Sequence, residues 1–165
     1  MNVRAFSAAA ALLAGLSGGC AQDRGRLAEA HVVAIRDSVS ATLDAFRRYS
    51  AAGQWDSVLR IYADDSSFRW LEGGAVVAHN AAQIRQYFSK LPAGMRIETS
   101  YQDTEILPIV PGVASVVTKF QTHMSDSTAG PGFTFGGALT MTFVHRDDGW
   151  RILNGHASAP RRHSP

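Results

Sequence analysis

Cysteine is nearly missing from the sequence. Among 165 residues only Cys20 occurs, so no intrachain disulfide can form and no paired C-x-x-C thiolate site can hold a metal. The six histidines show neither H-x-H nor H-E-x-x-H spacing, and no dense carboxylate cluster accompanies them. No metal is therefore expected. A dominant charge is also lacking: the formal net charge is +2, and the one basic cluster, Arg161-Arg162-His163, sits in the C-terminal tail. Without a basic stripe interleaved with aromatics, nucleic acid is not an expected partner. P-loop, dinucleotide-glycine and G-x-S-x-G patterns are absent as well, so no cofactor is expected. Beyond the first twenty residues, no apolar run approaches the roughly 20 residues needed to cross a bilayer.

What remains is an ordinary globular composition, 45% hydrophobic and 18% charged, with length for one domain. The N-terminus reads as an address. Arg4 supplies a positive start, Ala5 to Leu16 form a short apolar run, and Ser17-Gly18-Gly19 lead into Cys20. A cysteine after two glycines resembles the lipobox of bacterial lipoproteins, which implies lipidation of Cys20 and a membrane anchor in the cell envelope. The usual leucine three residues before the cysteine is replaced by Ser17. Cleavage after Ala21, giving a soluble periplasmic or secreted protein, is the rival reading. The expected organisation is a signal peptide at 1–19, a tether at 20–30, a domain at 31–159 and a disordered tail at 160–165.

Within the domain, Val32, Ile35, Val39, Leu43, Phe46 and Tyr49 recur at three- and four-residue spacing, one apolar face of a long helix ended by Gly53. Trp55, Val58, Leu59 and Tyr62 fit a second, shorter helix. Ser67 to Val77 reads as a hairpin turning at Gly73-Gly74. Asn80 with Gln83 makes a capping box for a third helix, whose buried face is Ile84, Tyr87, Phe88 and Leu91. The period then changes to two. Strands are expected over 95–107, 113–125, 133–146 and 150–158, with Pro108 ending the first and Asp147-Asp148-Gly149 turning into the last. Gly136-Gly137 predicts a bulge or bend. The fold class is α+β: three N-terminal helices packed on a curved antiparallel sheet.

This order of elements resembles the nuclear transport factor two-like superfamily, specifically its SnoaL-like branch, over about Val32 to Ser158. The best local match is Ala52-Gly53-Gln54-Trp55-Asp56-Ser57-Val58-Leu59 running into Tyr62-Ala63-Asp64-Asp65, with Gly149-Trp150-Arg151-Ile152 as the closing strand. The resemblance implies a cone-shaped cavity, and Phe46, Tyr62, Trp70, Phe88, Trp150 and Asn154 are the expected lining. Concave apolar pockets are the usual place for ligands, but fold does not choose between binding and catalysis. In the ketosteroid isomerase branch a tyrosine lies seven residues before the inter-helix glycine, which here is Phe46. Its carboxylate base lies five residues after the second aspartate, which here is Trp70. The resemblance therefore argues against isomerase chemistry.

Alternation puts Trp150, Ile152, Asn154, His156 and Ser158 on one face of the last strand, so an inward Trp150 brings His156 into the cone. His156 is then the candidate acid–base group, with Tyr101 and Asp103 on one face of the first long strand assisting. A satisfied structural histidine is the simpler account of the same residue. Three readings follow: a module binding a small, largely apolar molecule; a hydrolase, dehydratase or cyclase using His156; and a homodimerising assembly domain.

Overall fold

The computed structural model describes residues 27–92, 94–126 and 130–159. The residues expected to form the signal peptide, Cys20, most of the expected tether and the tail from residue 160 lie outside the described residues. Helix α1 (Glu29–Ala51) begins inside the expected tether and is followed by α2 (Trp55–Leu59). Then come β1 (Arg69–Glu72), β2 (Ala75–Ala78), α3 (Ala81–Phe88), β3 (Met95–Val110), β4 (Val113–Asp126), β5 (Gly130–Arg146) and β6 (Gly149–Ser158). The six strands form one curved sheet in the order β2-β1-β6-β5-β4-β3, antiparallel except where β1 runs parallel to β6.

Helix α1 buries the face its spacing foretold, with Val39 and Leu43 inside and Ile35, Phe46 and Tyr49 packed beside them. Two long-range bonds fix it along β3. Arg36 Nε donates to the Ile106 carbonyl at 3.2 Å, and Arg96 donates to the Ala51 carbonyl at 3.3 Å. The helix therefore lies antiparallel to β3, with Phe46 held over its Met95 end. Phe68, Phe143, Ile152, Val58 and Val116 are fully buried between helices and sheet. Each such side chain contributes about 1.5–3 kcal/mol by leaving water.

Several expectations need correction. Helix α2 stops at Leu59, and Tyr62 lies outside it in an isolated parallel bridge with Ile152. The Ala63 N–H donates to the Ile152 carbonyl and the Ile152 N–H to that of Ile61, at 2.9 and 2.8 Å. Sheet hydrogen bonding replaces helix at this point and turns Tyr62 beneath the sheet. Strand β3 runs through Pro108 to Val110, because at a sheet edge a proline's missing N–H can be tolerated. Gly136 and Gly137 carry no register shift. A Cβ on Gly136 would come 2.6 Å from the Phe120 carbonyl oxygen, so glycine allows a close strand approach there.

Two bulges that the alternating pattern did not foretell lie elsewhere. In β3, Gln102 pairs with Lys119 and Glu105 with Val117, so Asp103 and Thr104 together oppose Thr118. Asp103 adopts a left-handed φ of 52°. Buried Thr118 pins the kink, donating to the Gln102 carbonyl at 3.0 Å and lying 2.8 Å from the Thr104 hydroxyl. In β6, Ile152 pairs with Phe143 and Asn154 with Thr142, leaving Leu153 as the extra residue. An inserted residue moves every later side chain to the other face of the strand.

Candidate functional site

A cavity of about 750 Å³ opens between α1, α3, the β1–β2 hairpin and the concave face of β3 to β6. Its inner wall comprises Phe46 from α1, Tyr62, Trp70 from β1, Ile84 from α3, and Leu139 and Met141 from β5. Phe88, Ile97, Phe120, Met124 and Phe135 widen it outward, and Glu72, Val77, Gln83 and Tyr87 line it from exposed positions. Tyr62 organises the floor through edge-on contacts with Phe46 at 5.9 Å, and with Phe68 and Trp70 at 5.8 Å each. Such edge-to-face pairs bring each ring's positive rim against its neighbour's negative face. Gly155 of β6 lies directly under Trp70, where a Cβ would overlap the indole ring.

The cavity's polar groups are few. The Trp70 indole N–H donates to Glu72 Oε1 at 2.7 Å, and the Thr99 and Thr122 hydroxyls satisfy each other at 2.9 Å. Two tyrosine hydroxyls border the same space, and burial is the main influence on both. It raises the Tyr62 phenol far above its ordinary value, with the charges of Tyr101, Glu72 and Tyr87 adding to the effect. It pushes Tyr101 up to about 12, partly opposed by the Arg47 guanidinium. Both therefore stay protonated at neutral pH. Among the described residues neither hydroxyl hydrogen-bonds to a protein group, so each can donate to an acceptor placed in the cavity.

The expected lining is met in part. Phe46, Tyr62, Trp70 and Phe88 border the cavity, and so does Tyr101, which was expected as a catalytic assistant. Trp150 is buried in the core and stacks edge-on with His145 at 5.2 Å, away from the cavity. The Leu153 bulge reverses the end of β6, so Gly155 and Ala157 point inward while Asn154 and His156 point out. His156 is exposed opposite Thr140 on the outer surface of the sheet. The β3 bulge likewise separates Asp103 from Tyr101. Asp103 is exposed and bonded to Lys119 Nζ at 2.7 Å, and that bond holds its carboxyl below the usual range. The expected grouping of His156, Tyr101 and Asp103 at one place is not what the backbone builds.

A family model described as the SnoaL-like domain matches residues 39–162, about three quarters of the sequence. The chain belongs to the SnoaL-like family. Among curated proteins, none matches the sequence. Solved structures support the fold of this SnoaL-like domain. A conserved protein from Planctomyces limnophilus superposes with a TM-score of 0.68 at 15% identity, covering 78% of this chain and 98% of that one. A nuclear transport factor 2-like superfamily protein from Salmonella enterica gives 0.67 at 9% identity, covering 81% and 96%. A ketosteroid isomerase-like protein from Erwinia carotovora gives 0.61 at 13% identity, covering 78% and 96%. At these identities the likeness is one of fold.

The SnoaL-like domain has a second concavity, of about 490 Å³, on the other side of Tyr62. Arg60, Arg85, Arg146 and Arg151 line it together with Asp64 and Asp148. Its guanidiniums already have partners. Arg85 meets Asp56 at 3.3 Å, Arg146 meets Asp65 at 3.0 Å, Arg151 pairs with Asp148, and Arg60 bonds the Ser57 hydroxyl at 2.9 Å. Sequence reasoning overlooked this cleft and also Glu72, the one charged side chain among the described residues that borders the larger cavity. The signal for Glu72 was available: it lies two residues from Trp70 in a strand, hence on the same face.

Proposed function

We propose that this SnoaL-like protein is an exported binding module that holds a small, largely apolar molecule in the larger cavity. One observation carries the reading. A space of about 750 Å³, walled mostly by aromatic and aliphatic side chains, contains two protonated tyrosine hydroxyls with no protein partner. A ligand suited to it has an apolar body and an acceptor oxygen, such as a carbonyl, reaching Tyr62 or Tyr101. The enzymatic alternative that relies on His156 loses support, because that imidazole lies on the outer face of the sheet and does not line the cavity. A dimer through the outer face of the sheet has less to bury. The exposed side chains there include Lys119, Gln121 and Thr140 beside Val117 and Ala138. For export, the leader and Cys20 favour lipid anchoring in the bacterial cell envelope, with soluble release after Ala21 as the alternative.

Native mass spectrometry of the protein purified from its own host tests both parts. The expected result is a mass raised by a non-covalent apolar molecule that leaves on denaturation, over a polypeptide beginning at a lipid-modified Cys20. An empty cavity, with no change in melting temperature across a broad set of apolar metabolites, would overturn the binding reading. A leader still attached would overturn export.

A further inference from the structure

Among the described residues the larger cavity has one formally charged side chain on its border, Glu72. Glu72 closes β1 immediately before the Gly73-Gly74 turn, whose φ values of 58° and 87° bring the chain sharply back into β2. Position 72 shares a strand face with Trp70, and its Oε1 accepts the indole N–H at 2.7 Å. That bond occupies one of the carboxylate's roughly four lone-pair positions, and the remainder stay open at the exposed rim. Tyr62 and Tyr87 line the same cavity, and the negative charge of Glu72 bears on both phenols. Among the described residues no cation borders the space. Arg47, whose charge bears on Tyr101, sits on α1 outside the lining and is engaged with Asp44 at 3.5 Å.

We infer that the rim formed by Glu72, Trp70 and Tyr87 is a subsite for a positively charged nitrogen, so that the ligand is an apolar amine or ammonium compound. The inference rests on the cavity being a ligand site and specifies which end of the ligand is charged. A carboxylate at the mouth of a largely uncharged space attracts a cation and repels an anion. A fatty-acid-like anion would meet only repulsion there.

Calorimetric titration of the purified protein with octylamine, octanol and octanoate compares three probes of nearly equal apolar body. Octylamine is expected to bind about threefold more tightly than octanol, with octanoate weakest. In Glu72→Gln the amide oxygen still accepts the Trp70 indole N–H, so the rim keeps its shape while losing its charge. The amine-to-alcohol ratio is then expected to fall to about one, and in Glu72→Lys octanoate is expected to overtake octylamine. A thermal melt of each variant identifies loss of fold. An amine preference that survives Glu72→Gln, or octanoate binding as tightly as octylamine in the parent protein, overturns the inference and leaves the cavity as a site for neutral molecules. Failure of all three probes to bind sinks the reading of the cavity as a ligand site, and the inference with it.

Discussion

The two concavities that share Tyr62 as a common wall differ in how their polar groups are satisfied. In the arginine-lined cleft, guanidinium and carboxylate groups pair with one another across α2, α3 and the β5–β6 turn. An anion arriving there would have to displace those partners, and exposed pairs of this kind contribute little either way. In the larger cavity two tyrosine hydroxyls have no protein partner among the described residues, yet neither is sealed from solvent. Each can therefore exchange water for a ligand's acceptor oxygen without losing a protein hydrogen bond. Charge density alone would have pointed to the cleft, whereas unmet hydrogen-bonding capacity points to the cavity.

The largest expected effect breaks the cavity while sparing the cleft. Gly155→Val places branched carbons where the Trp70 ring lies. The indole must swing into the cavity, and overpacking of this kind costs about 3 kcal/mol. Urea denaturation should report that loss together with lost binding of the cavity's ligand. A variant as stable as the parent would mean that the Trp70 floor is not rigid.

Removing the unpaired hydroxyls should separate binding from stability. Tyr62→Phe and Tyr101→Phe delete groups that bond nothing in the protein, so each should change stability by less than about 1 kcal/mol. Affinity for a ligand carrying an acceptor oxygen should fall about tenfold in each, equivalent to about 1.4 kcal/mol, while a hydrocarbon probe should bind as before. Equal losses for the two kinds of probe would show that the rings act by packing alone. Alkaline stability offers a parallel reading for Tyr101. Its folded value of about 12 lies above the unfolded value near 10, so its contribution is present below about pH 10 and disappears as pH rises through about 12. Tyr101→Phe should remove that part of the alkaline loss.

How much of this was legible in the sequence depends on which rule each residue obeys. The α1 face from Val32 to Tyr49, the Gly73-Gly74 turn and the Asn80 cap follow local rules, and they stand where spacing put them. The Asn80 side chain accepts the Gln83 N–H at 2.9 Å, while Gln83 reaches back to the His79 N–H at 2.6 Å, one residue beyond the standard box. The candidate site depended instead on unbroken alternation along β3 and β6. One extra residue at Leu153 sent His156 outward, and the kink at Asp103 detached it from Tyr101. Bulges answer to cross-strand packing, which a single strand's pattern does not contain. A partial signal existed in Gly155, since a glycine inside a strand often marks a bulge or a close approach. Here it marks both, two residues after Leu153 and directly under Trp70.

The smallest expected effect lies in the cleft and tests whether its ion pairs act only locally. Asp65 accepts the Ser67 backbone N–H at 2.7 Å and pairs with Arg146 at 3.0 Å. The backbone bond is the leading cause that holds its carboxyl below the ordinary range, and the Arg146 charge contributes less. A carboxylate depressed in the folded state adds stability above its unfolded value, near 3.9, and loses it as pH falls through the lower folded value. Asp65→Asn should therefore lower stability slightly at neutral pH, flatten the acid limb of a stability–pH curve below about pH 4 and converge with the parent in acid. Arg146→Ala should flatten it less, because the Ser67 bond survives. Acid unfolding followed by tryptophan fluorescence would check the order. If Arg146→Ala matched or exceeded Asp65→Asn, the long-range ion pair rather than the local turn would be the feature that fastens the segment between α2 and β1 to the β5–β6 end of the sheet.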